Sequence, residues 1–177
     1  MSNHIDAIMN PKSIAVVGAS NRPGSVGNAI ICNLIGSGFQ GVLYPVNPKA
    51  NAIQSIKAYP SLSDIPDEID LAVIVVPSPV VSKVLEEAGQ KGVKGAVVIT
   101  AGFKEIGGKG VEMEEELKAV ARKHDISVIG PNCLGIMNTN PDVSMNASFA
   151  TKMPKRGNIA FISQSGALCT SVLDYAE

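Results

Sequence analysis

The sequence predicts an α/β fold, a Rossmann-like parallel sheet with helices on both faces. Short apolar runs recur along the chain, and most are continuous rather than alternating, which is typical of strands that are covered on both faces. Segments with helical spacing lie between several of these runs, and strands that alternate with helices over short loops form a parallel sheet. The predicted strands cover residues 14–17, 42–46, 71–76, 96–99, 127–129 and 159–162.

Helices are predicted by apolar residues that recur every four positions after the first, third and fourth strands. The proline that directly follows Ser78 predicts that Ser78 caps a helix. A helix over 110–124 begins with glutamates and ends with Arg122 and Lys123, which suits the helix dipole. The recurring apolar residues are Val26, Ile30 and Leu34, then Val80, Val84 and Ala88, then Met113, Leu117 and Ala121.

Length and composition exclude several classes of protein. The 177 residues, 45% of them hydrophobic, are enough for one complete domain and the beginning of another. Charged residues make up 18% of the chain and the net charge is −1, so no broad basic surface is available for nucleic acid or an acidic membrane. No stretch reaches the roughly 20 apolar residues of a membrane span, and the three cysteines lack metal-ligand spacing. We therefore expect a cytoplasmic protein without a metal site.

A glycine-rich loop follows the first predicted strand. Gly18 permits a tight turn, and residues 24–27 let the backbone approach a ligand closely. The helix that begins near Ser25 offers unpaired N–H groups to a phosphate. The glycines at 18, 24 and 27 are spaced more widely than the G-x-G-x-x-G dinucleotide motif allows. The alternative is a glycine-rich turn that binds no ligand.

The end of the second predicted strand discriminates between cofactors. An NAD enzyme usually places an acidic residue there to hold the ribose hydroxyls. This chain has Asn47 and Lys49 instead, and the ammonium group of Lys49 suits a phosphate on the ribose. Both NADP and coenzyme A (CoA) carry such a phosphate. The alternative is that Lys49 is an ordinary surface lysine.

The remaining strand ends continue the series. After the third strand, Pro77 and Ser78 form a rigid turn and the start of a helix. After the fourth strand, Thr100 offers a hydroxyl group to an extended ligand. Prolines at such places are also ordinary turn formers. After the fifth strand, the free cysteine Cys133 stands next to Asn132 and could be a nucleophile. We interpret Cys133 as a small wall of the site, because no histidine lies near it in sequence to activate the thiol.

The pattern changes after the fifth strand, which predicts a division into three parts. Residues 1–130 form the Rossmann-like domain, and residues 131–156, which lack sustained periodicity, form a linker. Residues 157–177 begin a second domain with a strand, a turn and a helix. One strand and one helix cannot enclose a core. Either they complete the first sheet or the chain is a fragment of a longer protein, and we expect a fragment.

Together these motifs resemble a known family. The run from Val16 to Ser20, the segment from Tyr44 to Lys49, and the stretches at 70–77, 99–103 and 130–135 are similar to the N-terminal CoA-binding domain of NDP-forming acyl-CoA synthetases. These enzymes resemble the alpha subunit of succinyl-CoA synthetase. Residues 157–167 are similar to the opening of that family's second, flavodoxin-like domain.

The resemblance implies an acid–thiol ligase that interconverts acyl-CoA, ADP and phosphate with a free acid, CoA and ATP. It places the phosphorylated histidine beyond residue 177, and neither His4 nor His124 matches its context, so we expect no catalytic residue in this chain. ADP, ATP and Mg are implied only for the full-length enzyme. The implied partners are the missing downstream domains or a beta subunit with an ATP-grasp fold, and a homo-oligomer is possible.

The resemblance also implies roles for residues of this sequence. The glycine loop would be lined by Gly18, Ala19, Ser20, Asn21, Ser25, Val26 and Gly27, and the adenosine end by Val46, Asn47 and Lys49. The pantetheine path would be lined by Val76, Pro77, Ser78, Thr100, Ala101 and Gly102. Asn132 and Cys133 would face the reacting centre, and Ser165 and Gly166 would help to hold a phosphate.

Other functions stay open at this stage. The chain could be the CoA-binding regulatory domain of a protein acyltransferase, or a stand-alone CoA-binding module without catalysis. An NADP-dependent oxidoreductase is disfavoured by the long glycine loop and by the lack of an acid–base pair near the strand ends.

Overall fold

A five-stranded parallel sheet forms the centre of the computed structural model, which describes residues 4–176. Its strands are β1 (Ser13–Val17), β2 (Val42–Val46), β5 (Leu71–Ile74), β6 (Gly95–Val98) and β7 (Ser127–Ile129), in the order β2-β1-β5-β6-β7. Two short strands, β3 (Ala52–Ile53) and β4 (Ile56–Lys57), pair as a separate ribbon. The strand order reverses between β1 and β5, which is where open α/β sheets bind ligands.

Helices cover both faces of the sheet, as the sequence predicts. Helices α3 (Ser78–Gln90) and α4 (Lys109–Lys123) pack on one face, and α1 (Ile5–Met9) and α2 (Val26–Gly36) lie on the other. Strand residues alternate between the two apolar cores: Ala15 faces the α3 and α4 side and Val16 the α2 side. The Rossmann-like parallel sheet is confirmed. None of the helices described for residues 4–176 has the length and apolar character needed to cross a membrane.

An antiparallel hairpin that the sequence did not predict covers the rest of the α2 face. Strands β8 (Gly135–Asn138) and β9 (Met145–Ser148) lie within the segment interpreted as a linker. The fully buried Met145 and Ala147 join the apolar core beside α2. Asn140 and Pro141 lie in the turn between the two strands. The division of the chain into domains stays a prediction, and its outer limits at residues 1 and 177 lie outside the described residues.

The predicted strand at 159–162 is wrong. These residues have no strand conformation, and the side chains of Ile159 and Ile162 are 88% and 95% exposed. A strand is held by hydrogen bonds to a neighbour, and within residues 4–176 no strand lies alongside this run. The predicted helix after it is present as α5 (Gly166–Tyr175), which Ser165 caps by accepting a hydrogen bond from the Leu168 N–H at 3.2 Å.

Two smaller predictions need correction. The third sheet strand ends at Ile74 rather than at residue 76, and the cap of α3 is Pro77, so Ser78 is the first helical residue. Proline with its fixed φ serves at the start of a helix as well as one position later, and sequence alone did not separate the two positions.

Candidate functional site

An open cleft of about 1360 Å³ runs along the carboxyl ends of the sheet strands. Each sheet strand from β1 to β7 contributes through the loop that follows it, and α5 lies along the rim. The lining residues are Gly18, Ser20, Arg22, Gly24, Ser25, Val26, Gly27, Asn47, Lys49, Val75, Val76, Pro77, Ile99, Thr100, Ala101, Asn132, Cys133, Leu134, Phe149, Gln164, Gly166, Ala167 and Thr170.

The glycine loop brings the end of β1 against the first turn of α2. Gly18 has a φ of +94°, and a Cβ at this position would lie 2.6 Å from the carbonyl oxygen of Val75. A Cβ on Gly27 would lie 2.1 Å from the carbonyl oxygen of Gly18. Only glycine fits at either position, because a side chain would overlap backbone atoms that the sheet holds in place.

The start of α2 presents unpaired donors to the cleft. Ser25 caps the helix, and its Oγ accepts a hydrogen bond from the Asn28 N–H at 3.3 Å. Within the described part of the chain, the N–H groups of Val26 and Gly27 have no acceptor. Free N–H groups and the positive end of the helix dipole both favour an anion at this position.

Two cations stand near the glycine loop. Arg22 lies in the loop and Lys49 follows β2, and no carboxylate is found among the lining residues of the described chain. Neither cation forms an ion pair within residues 4–176. The Asn47 side chain fixes this corner, since its amide donates to the carbonyl oxygen of Ala19 and its oxygen accepts from the Lys49 N–H, both at 2.8 Å. The corner is therefore suited to a phosphorylated ligand.

The ends of β5, β6 and β7 are tied to one another. The Thr100 hydroxyl donates to the Val76 carbonyl oxygen at 2.7 Å, and the Asn132 N–H donates to the Thr100 carbonyl oxygen at 3.0 Å. The Cys133 thiol donates to the Val98 carbonyl oxygen at 3.3 Å, and burial raises its pKa above the ordinary value. A protonated thiol is a poor nucleophile, which agrees with the interpretation of Cys133 as a wall.

Most of the predicted site residues meet in this cleft. Fourteen of them line it: Gly18, Ser20, Ser25, Val26, Gly27, Asn47, Lys49, Val76, Pro77, Thr100, Ala101, Asn132, Cys133 and Gly166. The other predicted residues, which do not line it, are Ala19, Asn21, Val46, Ser78, Gly102 and Ser165. Several of these support the loops instead: the Val46 carbonyl accepts from the Gly18 N–H at 3.0 Å, and the Asn21 side chain holds the β3–β4 ribbon through Ala52 and Gln54.

Sequence reasoning missed several lining residues. Arg22 could have been found, because a cation within a glycine loop is a signal for phosphate. Leu134 and Phe149 gave no such signal, since the hairpin that carries them to the cleft was not predicted. The other missed residues are Val75, Ile99, Gln164, Ala167 and Thr170.

The two histidines lie near the beginning of β7, at the end of the sheet opposite the cleft. His4 Nε2 is 3.1 Å from Asp125 Oδ2, and the His4 N–H donates to Ser127 Oγ at the beginning of β7. His124, which follows α4, has its Nε2 3.0 Å from Glu86 Oε1. A hydrogen bond from Lys123, with His124 beside it, lowers the pKa of Glu86 to about 2. These contacts link elements of the fold, and neither histidine lines the cleft.

Residues 12–139 match the family model described as CoA binding domain. The chain belongs to this family. It is 54% identical over 169 residues to an ADP-forming acetate–CoA ligase of Methanocaldococcus jannaschii, an alignment that covers 96% of this chain and 23% of that protein. The resemblance that the motifs indicated, to NDP-forming acyl-CoA synthetases, is confirmed.

Solved structures agree with the fold of this CoA binding domain. A Pyrococcus horikoshii protein superposes with a TM-score of 0.91 at 51% identity, over 97% of this chain and 38% of that one. The dinucleotide forming acetyl-coenzyme A synthetase 1 of Ca. Korarchaeum cryptofilum, in complex with phosphate and ADP, gives 0.90 at 46% identity, over 97% and 36%. The chain therefore spans less than two fifths of each of these proteins.

Proposed function

We propose that this chain binds CoA along the strand-end cleft and forms the CoA-binding part of an ADP-forming acyl-CoA synthetase. The observation that carries the proposal is a corner of the cleft lined by Val26, Gly27, Arg22 and Lys49. Within residues 4–176 the N–H groups of Val26 and Gly27 have no acceptor, and the two cations form no ion pair. The phosphates of CoA would occupy this corner, and its long pantetheine arm would extend along the rest of the cleft. Three relatives that each match 96% of this chain are named ADP-forming CoA ligases.

The cleft fits an extended ligand better than a compact one. It crosses the ends of β1, β5, β6 and β7, and neighbouring strands are about 4.8 Å apart. A ligand with its phosphates at α2 would cross the strand ends over Val76, Pro77 and Ala101 and reach Asn132. CoA supplies a thiol that carries the acyl group as a thioester. The residues of this chain hold and orient it.

In the complete reaction, an acid, CoA and ATP give acyl-CoA, ADP and phosphate. We propose that the phosphoryl-transfer steps use residues outside this chain, because His4 and His124 stand at the far edge of the sheet, each beside a carboxylate. Downstream domains or an ATP-grasp beta subunit would supply those steps with Mg, and Ser165 and Gly166 at the start of α5 would face them. A cytoplasmic location suits these substrates.

A thermal-shift titration with CoA, NAD and NADP tests the choice of ligand. We expect CoA at 100 times its dissociation constant to stabilise the chain by about 2.7 kcal/mol. NAD should have little effect, since none of the described residues that line the cleft at the end of β2 is a carboxylate that could receive its ribose hydroxyls. A larger rise in melting temperature with NAD or NADP than with CoA would contradict the proposal.

A further inference from the structure

The two ends of the cleft differ in chemistry. The loop end, defined by the glycine loop 18–27 and Lys49, is polar and cationic. The wall end, defined by Ile99, Leu134 and Phe149, is apolar, and the lining residues described there carry no charge. A ligand that fills both ends therefore has an anionic part and an apolar part.

Phe149 is held in place although its ring is exposed. The Asn33 side-chain amide donates to the carbonyl oxygens of Ser148 and Ala150, the residues on either side of Phe149, at 2.8 Å each. The Ala150 N–H also donates to Ser148 Oγ at 3.1 Å. Phe149 nevertheless stays 40% exposed and lines the cleft. An aromatic ring on fixed backbone offers apolar surface to a ligand at a low entropy cost.

A glycine sets Leu134 beside Phe149. The Phe149 N–H donates to the Leu134 carbonyl oxygen at 3.4 Å, so the two residues are neighbours across the hairpin. Gly135 comes next with a φ of +116°, and a Cβ there would lie 2.3 Å from the Ala147 carbonyl oxygen. Glycine thus permits the close approach of β8 and β9 that brings both apolar side chains to one place.

The direction of the ligand follows from the strand order. The start of α2 follows β1, whereas Ile99 follows β6 and Leu134 follows β7, and these strands lie two and three strand spacings from β1, or roughly 10–14 Å. Phe149 lies next to Leu134, at the end of strand β9, which packs against α2 beyond its first turn. With the phosphates at α2, the part of CoA furthest from them reaches the wall end. That part is the thiol and, in acyl-CoA, the acyl group.

We propose that Phe149, supported by Leu134 and positioned by Asn33, limits the size of the acyl group that CoA carries in this cleft. The proposal rests on the proposed function and adds a specificity-determining residue to it. Because the backbone on both sides of Phe149 is held by hydrogen bonds, only rotation of the side chain itself can move the ring, so a bulky acyl group has less room beside it than a short one.

Calorimetric titration of the chain with CoA, acetyl-CoA and phenylacetyl-CoA measures this selectivity. For Phe149→Ala, the ratio of the phenylacetyl-CoA to the acetyl-CoA dissociation constant should fall about tenfold, the scale of shape discrimination in an apolar pocket. For Phe149→Trp, the ratio should rise. Free CoA, titrated into each variant, measures any change in affinity that does not depend on the acyl group, and the ratio of the two thioesters cancels that change.

Phe161→Ala is the matched control, since Phe161 is also an exposed phenylalanine but does not line the cleft. It should leave the ratio unchanged, and melting curves report whether each variant is folded. If CoA binds but the ratio moves in neither Phe149 variant, the size limit is overturned and the proposed function stands. If the unaltered chain binds neither CoA nor its thioesters, both proposals fail together.

Discussion

The loop end and the wall end of the cleft present different chemical groups. At the loop end, glycines bring backbone atoms together, and free N–H groups with two cations face the ligand. At the wall end, the backbone carbonyl groups on both sides of Phe149 already accept hydrogen bonds from Asn33. The side chains of Leu134 and Phe149 line the cleft there instead. Under the two proposals, the backbone groups and cations of the loop end would recognise the phosphates that all CoA esters share, and the apolar side chains of the wall end would meet the acyl group that varies. The cleft would then separate the binding of the cofactor from the choice of acyl group.

The largest expected effect comes from filling the closest backbone contact at the loop end. In Gly27→Ala the new Cβ would stand 2.1 Å from the Gly18 carbonyl oxygen, so α2 must move away from β1. We expect the free energy of unfolding to fall by about 3 kcal/mol, at the upper part of the range for overpacking. CoA binding should be lost as well. Denaturant titration and calorimetry measure the two effects.

Gly36→Ala is a matched control in the same helix. Gly36 ends α2, and a Cβ there would have no atom within 4 Å. Alanine should leave CoA binding intact and stabilise the protein by up to about 1 kcal/mol, since it favours helix more than glycine does. If the two variants behaved alike, the loop end would not depend on close backbone packing.

A smaller effect is expected from the cation that follows β2. If Lys49 contacts the 3′-phosphate of CoA, Lys49→Ala should weaken CoA binding by about 1.5 to 3 kcal/mol, or roughly ten- to a hundredfold. Dephospho-CoA lacks this phosphate, so it should bind the unaltered chain weakly and should be almost indifferent to the substitution. Two ligands and two proteins form a cycle that isolates the contact from general damage.

Lys94→Ala controls for the loss of a surface charge, because Lys94 is exposed at the beginning of β6, away from the cleft. It should change neither affinity. Equal weakening of CoA and dephospho-CoA by Lys49→Ala would show that Lys49 does not contact the phosphate and that the adenosine end lies elsewhere on the sheet.

The sequence predicted the loop end better than the wall end, and the reason is physical. Gly27 and the cap Ser25 are local signals, because Gly27 approaches Gly18 and Ser25 accepts from Asn28, all within one short stretch of the chain. Phe149, by contrast, is held at the cleft partly by Asn33, more than 100 residues away in the chain, which binds the backbone on both sides of it. Contacts between such distant residues leave no periodicity in the sequence.

The same limit explains the wrong strand. The apolar run at 159–162 resembles the run in β5, and both would suit a buried strand. Strand β5 lies between β1 and β6, which satisfy its backbone, whereas the run at 159–162 has no neighbour within the described residues. An apolar run favours burial, but a strand forms only where neighbouring strands can pair with its backbone.

The smallest expected effect is a difference in the alkylation rates of two cysteines, one of which, Cys133, lies near the wall end. Cys133 lies beside Leu134 in the cleft, and burial raises the pKa of its thiol, so little thiolate is present near neutral pH. Iodoacetamide should therefore modify Cys133 more slowly than the exposed Cys32 of α2, and the rate at Cys133 should rise with pH beyond the range of an ordinary thiol. Peptide mass spectrometry follows both residues in one sample.

CoA should protect Cys133 and leave Cys32 unaffected, because the proposed path of the ligand passes Cys133 and Cys32 does not line the cleft. At ten times its dissociation constant, CoA leaves about one site in eleven free, so alkylation of Cys133 should slow about tenfold. Dephospho-CoA at equal occupancy should protect equally, since it has the same pantetheine arm. Adenosine 3′,5′-bisphosphate, which can occupy only the loop end, should not protect. Protection by the bisphosphate, or none by CoA at that occupancy, would mean that the arm does not run from α2 to β7.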